Sequence, residues 1–196
     1  MLHLLAMMYV TLAPVILAGV FNMIFCKLGI LRFLQIPIDG GRTLSDGNRI
    51  FGDNKTWKGF IGYVILGVAF TVLWGAVIKN TGLNALNFFY INHENKVSFN
   101  LMVGVLLGLA YALFELPNSF VKRRIGISPG KPAKGVIKAL FVFVDQADSI
   151  FGCALVVCLF YNLGILKYLG FVIVGAATHI VFNMLLYFAH LRKNMF

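Results

Sequence analysis

Five apolar runs, each near the length that crosses a bilayer, leave this chain one broad way to fold. They cover Leu4 to Cys26, Gly59 to Ile78, Phe99 to Leu116, Asp148 to Tyr161 and Tyr168 to Ala189, the fourth with apolar Ala139 to Val144 just upstream. Crossing about 30 Å of hydrocarbon takes about 20 helical residues, and in lipid a spanning segment has to satisfy its own backbone hydrogen bonds. With 60% hydrophobic and only 12% charged residues, the chain is far more apolar than a soluble domain. The expectation is an all-α integral membrane protein, one domain over residues 1–196 with about five transmembrane helices and two long basic loops. The first run lacks a basic leader and a small-residue cleavage site, so it reads as a span and not as a signal peptide.

Charge orients the bundle. The loop after the first span carries Lys27, Arg32, Arg42, Arg49, Lys55 and Lys58. The loop after the third carries Lys122, Arg123, Arg124, Lys131, Lys134 and Lys138, and Arg192 and Lys193 close the tail. The other side has only Lys79, Lys96 and Lys167. Short basic loops stay cytoplasmic, which predicts a multi-pass protein of the cell membrane with its N-terminus outside and both long loops and the C-terminus inside. The same rule, with anionic headgroups as the counter-surface, accounts for the net charge of +10 without nucleic acid. Lys131 and Lys134 fit that headgroup role. Cys26, Cys153 and Cys158 have no metal-like spacing and read as packing residues. The connection from Lys79 to Ser98 reads as solvated and carries no assigned function.

Orientation does not explain the acids interleaved with those cations. In Gly52-Asp53-Asn54-Lys55-Thr56-Trp57-Lys58-Gly59 the glycines allow close backbone approach, Lys55 and Lys58 offer point charges to phosphate oxygens, and Thr56 offers a hydroxyl. The bland alternative is that Asp53 or Asn54 caps the second span. Ser119 lies three residues before Lys122, on the same helical face if helical. Asp145 and Asp148 are the sharpest pair, since spacing of three puts both carboxylates on one helical face. Two like charges in a poor dielectric need a cation, and ionisable residues at membrane depth are functional by default. Oxygen ligands suit Mg²⁺ or Mn²⁺; neutralisation by Lys122, Arg123 and Arg124 is the alternative. Thr178, His179, Asn183 and Tyr187 mark a polar seam on the fifth span, able to meet a headgroup or to lock helices together.

These residues together resemble a known family. Pro37-Ile38-Asp39, Gly41-Arg42-Thr43, Asp46-Gly47, Arg49-Ile50 and Gly52 to Gly59 are similar to the first cytoplasmic loop of the CDP-archaeol synthases. Ser119-Phe120-Val121-Lys122-Arg123-Arg124-Ile125-Gly126 and Asp145-Gln146-Ala147-Asp148 resemble the second, and His179, Asn183 and Tyr187 the polar stripe of the last helix. The resemblance implies five transmembrane helices and a Mg²⁺-dependent reaction of CTP with a lipid phosphate that yields CDP-lipid and pyrophosphate. It implies substrate-binding roles for Asp53, Asn54, Lys55, Thr56, Ser119, Arg123 and Arg124, metal binding by Asp145 and Asp148, and a catalytic role for Lys122 beside them. The lipid is expected to be archaetidic acid-like or phosphatidic acid-like. Where archaeal members have a Gly-Asp pair before the basic run, this chain has Phe114-Glu115-Leu116-Pro117. The rival from another class is a non-enzymatic transporter or lipid-binding protein, with the buried carboxylates and His179 as an ion path.

Overall fold

The computed structural model describes residues 1–131, 133, 135–188 and 190; Lys134, Ala189, Arg192 and Lys193 lie outside the described residues. Five long helices carry the fold: α1 (Leu2–Lys27), α2 (Trp57–Thr81), α3 (Val97–Arg124), α4 (Lys138–Phe160) and α5 (Gly164–Phe188). Each is long and apolar enough to cross a membrane. Among the described residues there is no strand, only two isolated bridges in the first long loop, Pro37 with Thr56 and Thr43 with Arg49.

Helix limits follow local chemistry. Thr56 is the N-cap of α2, its Oγ1 accepting from the Gly59 amide at 3.2 Å, so the cap is neither Asp53 nor Asn54. Gly82 ends α2 in the left-handed conformation at φ 73°. Two spans are longer than their sequence suggests. α3 continues through Pro117 to Arg124, so Ser119 to Arg124 are helical and not loop. α4 starts at Lys138, so Asp145 and Asp148 stand inside the helix and not at its entrance.

In hydrocarbon, apolar surface gives little drive for helix association, and close backbone approach and polar links matter more. α2 and α3 use both. A Cβ on Gly104 would come within 2.6 Å of the Val68 Cα, and one on Gly108 within 2.6 Å of the Val64 Cα. α1 is tied to α2 by Trp74 Nε1 donating to the Val10 carbonyl at 2.7 Å and Asn22 Nδ2 donating to the Gly59 carbonyl at 3.1 Å.

The bundle has two unlike ends. At the distal end, the connection between α2 and α3 is a packed plug and not a solvated link. Phe88 and Phe89 are buried, Phe88 against Phe171 and Tyr161. Its asparagines bond one another: Asn95 donates to Gly75 O and Asn84, Asn100 donates to Asn95, and Tyr90 donates to Asn100. At the other end, the loop end, residues 28–56 fold around the buried Asp39. Its carboxylate accepts from the Gly41, Phe51 and Gly52 amides and pairs with Arg49 at 2.5 Å. Burial alone would raise the Asp39 carboxyl, but Arg49 and the three amides outweigh it and hold it well below the usual carboxylate range. Gly52, at φ 104°, lies so close to Pro129 that an added Cβ would be 2.5 Å from its ring. The two long loops therefore pack on each other.

Candidate active site

A cavity of about 760 Å³ opens at the loop end, walled by all five helices and both loops. Asp53, Asn54, Lys55, Thr56, Ser119, Lys122, Arg123, Asp145 and Asp148 all reach its wall, joined by His179 and Asn183. Residues 119–124 bring three consecutive cations to three different places. Lys122 Nζ donates to both Asp145 oxygens, at 2.6 and 2.8 Å. Arg123 is 5% exposed, faces the cavity, and keeps Nε and Nη1 buried without a hydrogen-bond partner among the described residues. A buried guanidinium in that condition is costly unless an anion comes to it. Arg124 is not on the cavity wall. It reaches out to Asp46 at 2.6 Å and to the Asn48 and Arg49 carbonyls at 3.1 and 2.5 Å, clamping the first loop to the end of α3. Arg124, expected to bind substrate, is engaged here in a scaffold contact.

The carboxylate pair is joined by a residue that sequence reasoning passed over. Asn118 Nδ2 donates to Asp145 Oδ1 at 2.7 Å and to Asp148 Oδ2 at 2.8 Å, while Asn118 Oδ1 is buried with no partner among the described residues. The two carboxylate oxygens converge on the Asn118 amide nitrogen and Lys122 neutralises Asp145, while the oxygen-donor chemistry of Asp145, Asp148 and Asn118 Oδ1 is of the kind that suits a hard divalent cation. The described residues form no group of three or more His, Cys, Asp and Glu around one point.

Glu115 is the second omission. It pairs with Lys55, and Tyr63 Oη donates to its other oxygen at 3.4 Å. Burial would lower the Lys55 ammonium, but Glu115, then Asp148 and Asp145, outweigh that and hold its pKa above the ordinary value, so it stays charged. A carboxylate inside the third apolar run was the available signal. Tyr63 stacks on Tyr111 with centroids 4.1 Å apart, both on the cavity wall.

Other groups separate likewise. Lys58 is fully buried and donates to the last carbonyls of α1, Leu28 O at 2.6 Å and Cys26 O at 3.3 Å, so it holds a helix terminus and not phosphate. Lys131, expected to face headgroups, stands on the cavity wall. The α5 seam divides: Asn183 donates to Gln146 at 2.5 Å beside the cavity, Thr178 turns to Tyr9, and Tyr187 lies at the outer surface.

A membrane-embedded five-helix bundle with a cation-rich cavity around two carboxylates defines a class of intramembrane enzyme sites for anionic substrates. The particular family is shown by comparison. The CarS-like family, CDP-archaeol synthase, matches residues 1–196, and the chain belongs to it. It is 31% identical over 172 residues to the CDP-archaeol synthase of Thermofilum pendens, covering 87% of this chain and 71% of that protein. To that of Archaeoglobus fulgidus it is 33% identical over 161 residues, 80% and 82% of the two chains. Against that of Pyrococcus furiosus identity is 41% over 100 residues, about half of each chain at 51% and 52%. A solved structure described as an intramembrane enzyme for archaeal membrane lipids biosynthesis shares the fold, with a TM-score of 0.62, 22% identity and 92% coverage of both chains. Family membership favours an enzyme over the transporter alternative.

Proposed function

We propose that this chain transfers the cytidylyl group of CTP to a lipid phosphomonoester, archaetidic acid-like or phosphatidic acid-like, releasing pyrophosphate. The observation that carries the reading is Arg123, a buried guanidinium with two unsatisfied nitrogens, facing the same cavity as the Asp145 and Asp148 pair. Oxyanions supply what both lack: acceptors for Arg123 and a polyphosphate to share a divalent cation.

In this reading an oxygen of the lipid phosphate attacks the α-phosphorus of CTP in line. The bond to the bridging oxygen breaks, and pyrophosphate leaves with that electron pair. Little covalent chemistry falls to the protein, whose part is positioning and neutralisation. Asp145 and Asp148 would hold Mg²⁺ or Mn²⁺, which supplies charge neutralisation at the transferring phosphoryl group. Lys122 fixes the orientation of Asp145 and adds positive charge beside it. Lys55, Arg123 and Ser119 bind phosphate oxygens, with Asp53, Asn54 and Thr56 forming the nucleotide side of the rim. The excess of Lys and Arg in the two long loops supports a loop end that faces the cytoplasm, where CTP is found.

The test is a panel of lipid phosphates with α-³²P-labelled CTP and Mg²⁺ in sealed vesicles of both orientations. Label should enter the lipid fraction in inverted vesicles and not in right-side-out ones. No labelled lipid with any phosphomonoester would overturn the reaction; turnover in right-side-out vesicles alone would overturn the orientation.

A further inference from the structure

We infer that residues 28–36, which follow α1, form an interfacial anchor. Their apolar side chains sit in the hydrocarbon edge of the leaflet at the loop end, and Arg32 sits among that leaflet's anionic headgroups. Such an anchor serves the protein's hold on the bilayer and is independent of the reaction.

Both ends of the segment are fixed at the level where two spans end. Lys58 Nζ donates to the Leu28 carbonyl at 2.6 Å, and the Trp57 amide donates to the Ile36 carbonyl at 3.0 Å. Trp57 and Lys58 are the first two residues of α2, so the segment leaves and returns at the same height. At 1.5 Å per residue the 25 residues of α2 extend about 37 Å, more than the roughly 30 Å of hydrocarbon. Its first residues therefore stand in the headgroup zone. Between the two ties the chain makes one tight turn, with the Leu34 amide donating to Leu31 O and the Gln35 amide to Arg32 O. Leu31 is held there at φ 50°, a left-handed conformation unfavourable for a bulky side chain and kept only where neighbours impose it. The turn has a defined shape.

It is also two-sided. Lys27, at its start, and Gln35 line the cavity. Leu28, Ile30, Leu31, Phe33, Ile36 and the adjoining Trp57 are off that wall and exposed. Phe33 is 69% exposed, against 1% for Phe88 in the distal plug: the distal connection covers its phenylalanine with protein, and this segment does not. Large apolar side chains exposed together mark an interaction surface.

Continuity says what covers it. Phe21 and Ile24 are exposed on the last two turns of α1 and lead, at spacings of three and four, to Leu28. The lipid-facing stripe of the span thus runs into the segment without a break. Trp57 is a residue type enriched at the membrane interface. Charge agrees, since residues 27–38 hold Lys27 and Arg32 and no acid. Arg32 is exposed and has no ion pair among the described residues. Its stem can cover apolar surface while the guanidinium meets lipid phosphate.

The experiment places the photoreactive residue p-benzoylphenylalanine singly at three positions of the full-length protein. Phe33 is the test, Leu73 on the lipid-facing side of α2 the reference for chain contact, and Ser45, exposed further along the first loop, the reference for water. Liposomes of phosphatidylcholine and phosphatidylglycerol, one or the other tritiated in its chains, are illuminated. Capture of lipid at position 33 should reach at least about half that at 73 and exceed that at 45 at least about fivefold, as for side chains buried at the acyl boundary. Capture at 33 no greater than at 45 would overturn the anchor. A covalent dimer in place of captured lipid would also overturn it and give the face to a second copy. Per mole of lipid, position 33 should take phosphatidylglycerol at least about twofold over phosphatidylcholine, with the preference lost in Arg32→Gln. Equal capture of the two lipids, or a preference that survives Arg32→Gln, would overturn the headgroup contact assigned to Arg32.

Discussion

The two ends of this bundle are both rich in polar residues, and they use them in opposite ways. At the distal end Asn84, Asn95, Asn100 and Tyr90 answer one another's hydrogen bonds and close a plug over the helices. At the loop end Arg123 and Asn118 Oδ1 are buried with hydrogen-bonding capacity unspent, around a cavity. Polarity that is internally satisfied belongs to the fold. Thr71 Oγ1 and Arg124 Nε are also buried without a partner among the described residues but lie off the cavity wall; it is buried, unpartnered polarity on that wall that belongs to a ligand.

The strongest way to break the comparison is to neutralise the carboxylates. Asp145→Asn and Asp148→Asn keep shape and lose charge, and each should cost at least about 100-fold in turnover, on the scale of single electrostatic groups elsewhere. Thermal unfolding should change little. Near wild-type turnover across a Mg²⁺ titration would remove both residues from the metal site.

A second test uses two lysines of one motif. Lys55→Met should weaken CTP binding about tenfold or more by calorimetry, because Lys55 is on the cavity wall. Lys58→Met should leave CTP affinity within about twofold in the folded fraction and lower stability, because its ammonium holds the α1 carbonyls. Equal losses of affinity would mean a diffuse basic field.

Such pairs mark the limit of what the sequence discloses. Span number, the two basic loops and the nine of ten candidate site residues that reach the cavity wall were legible because they rest on local composition and short-range spacing. Lys55 and Lys58 look alike in sequence; what separates them is the position of the α1 terminus, thirty residues upstream of Lys58 at Leu28. Asp145 and Asp148 read as the edge of the fourth span because charge is expensive in lipid. Asn118 and Lys122 satisfy them from α3, so α4 continues past them. The same long-range pairing hid Glu115, whose partner Lys55 lies in the other loop. The distal asparagines looked solvated because their partners are one another, across turns that composition does not encode.

At the distal end the expected effect is smaller and of another kind. Asn100→Ala should lower stability by about 0.5–2 kcal/mol, the range for polar links between membrane helices, with kcat/KM unchanged. A fall in kcat/KM without loss of stability would give that end a part in the reaction.

Acid should loosen the first loop by a smaller margin still. The folded Asp39 carboxyl titrates below its unfolded value of about 3.9. Its contribution is therefore complete above that value and lost as pH falls from there toward the folded pKa. Proteolysis within residues 40–50 should rise below about pH 4 and lose that pH dependence in Asp39→Asn. An unchanged profile in the variant would assign acid sensitivity to another group.

The central claim, that unspent hydrogen-bonding capacity on the cavity wall marks the substrate site, is tested most directly by two adjacent arginines. Arg123→Gln and Arg124→Gln change the same side chain one position apart, one facing the cavity with Nε and Nη1 unbonded and one clamping the first loop through Nη1 and Nη2 with only its Nε unbonded. The measurement is kcat/KM for CTP and lipid phosphate together with Tm on the same preparations. Arg123→Gln should lose at least about tenfold in kcat/KM, the scale of a charge-assisted hydrogen bond, with Tm unchanged or raised. Arg124→Gln should lose Tm and keep kcat/KM within about threefold, by the same reasoning for a group that touches no substrate. Equal falls in kcat/KM, or a loss of Tm at Arg123 without a loss of activity, would contradict the account.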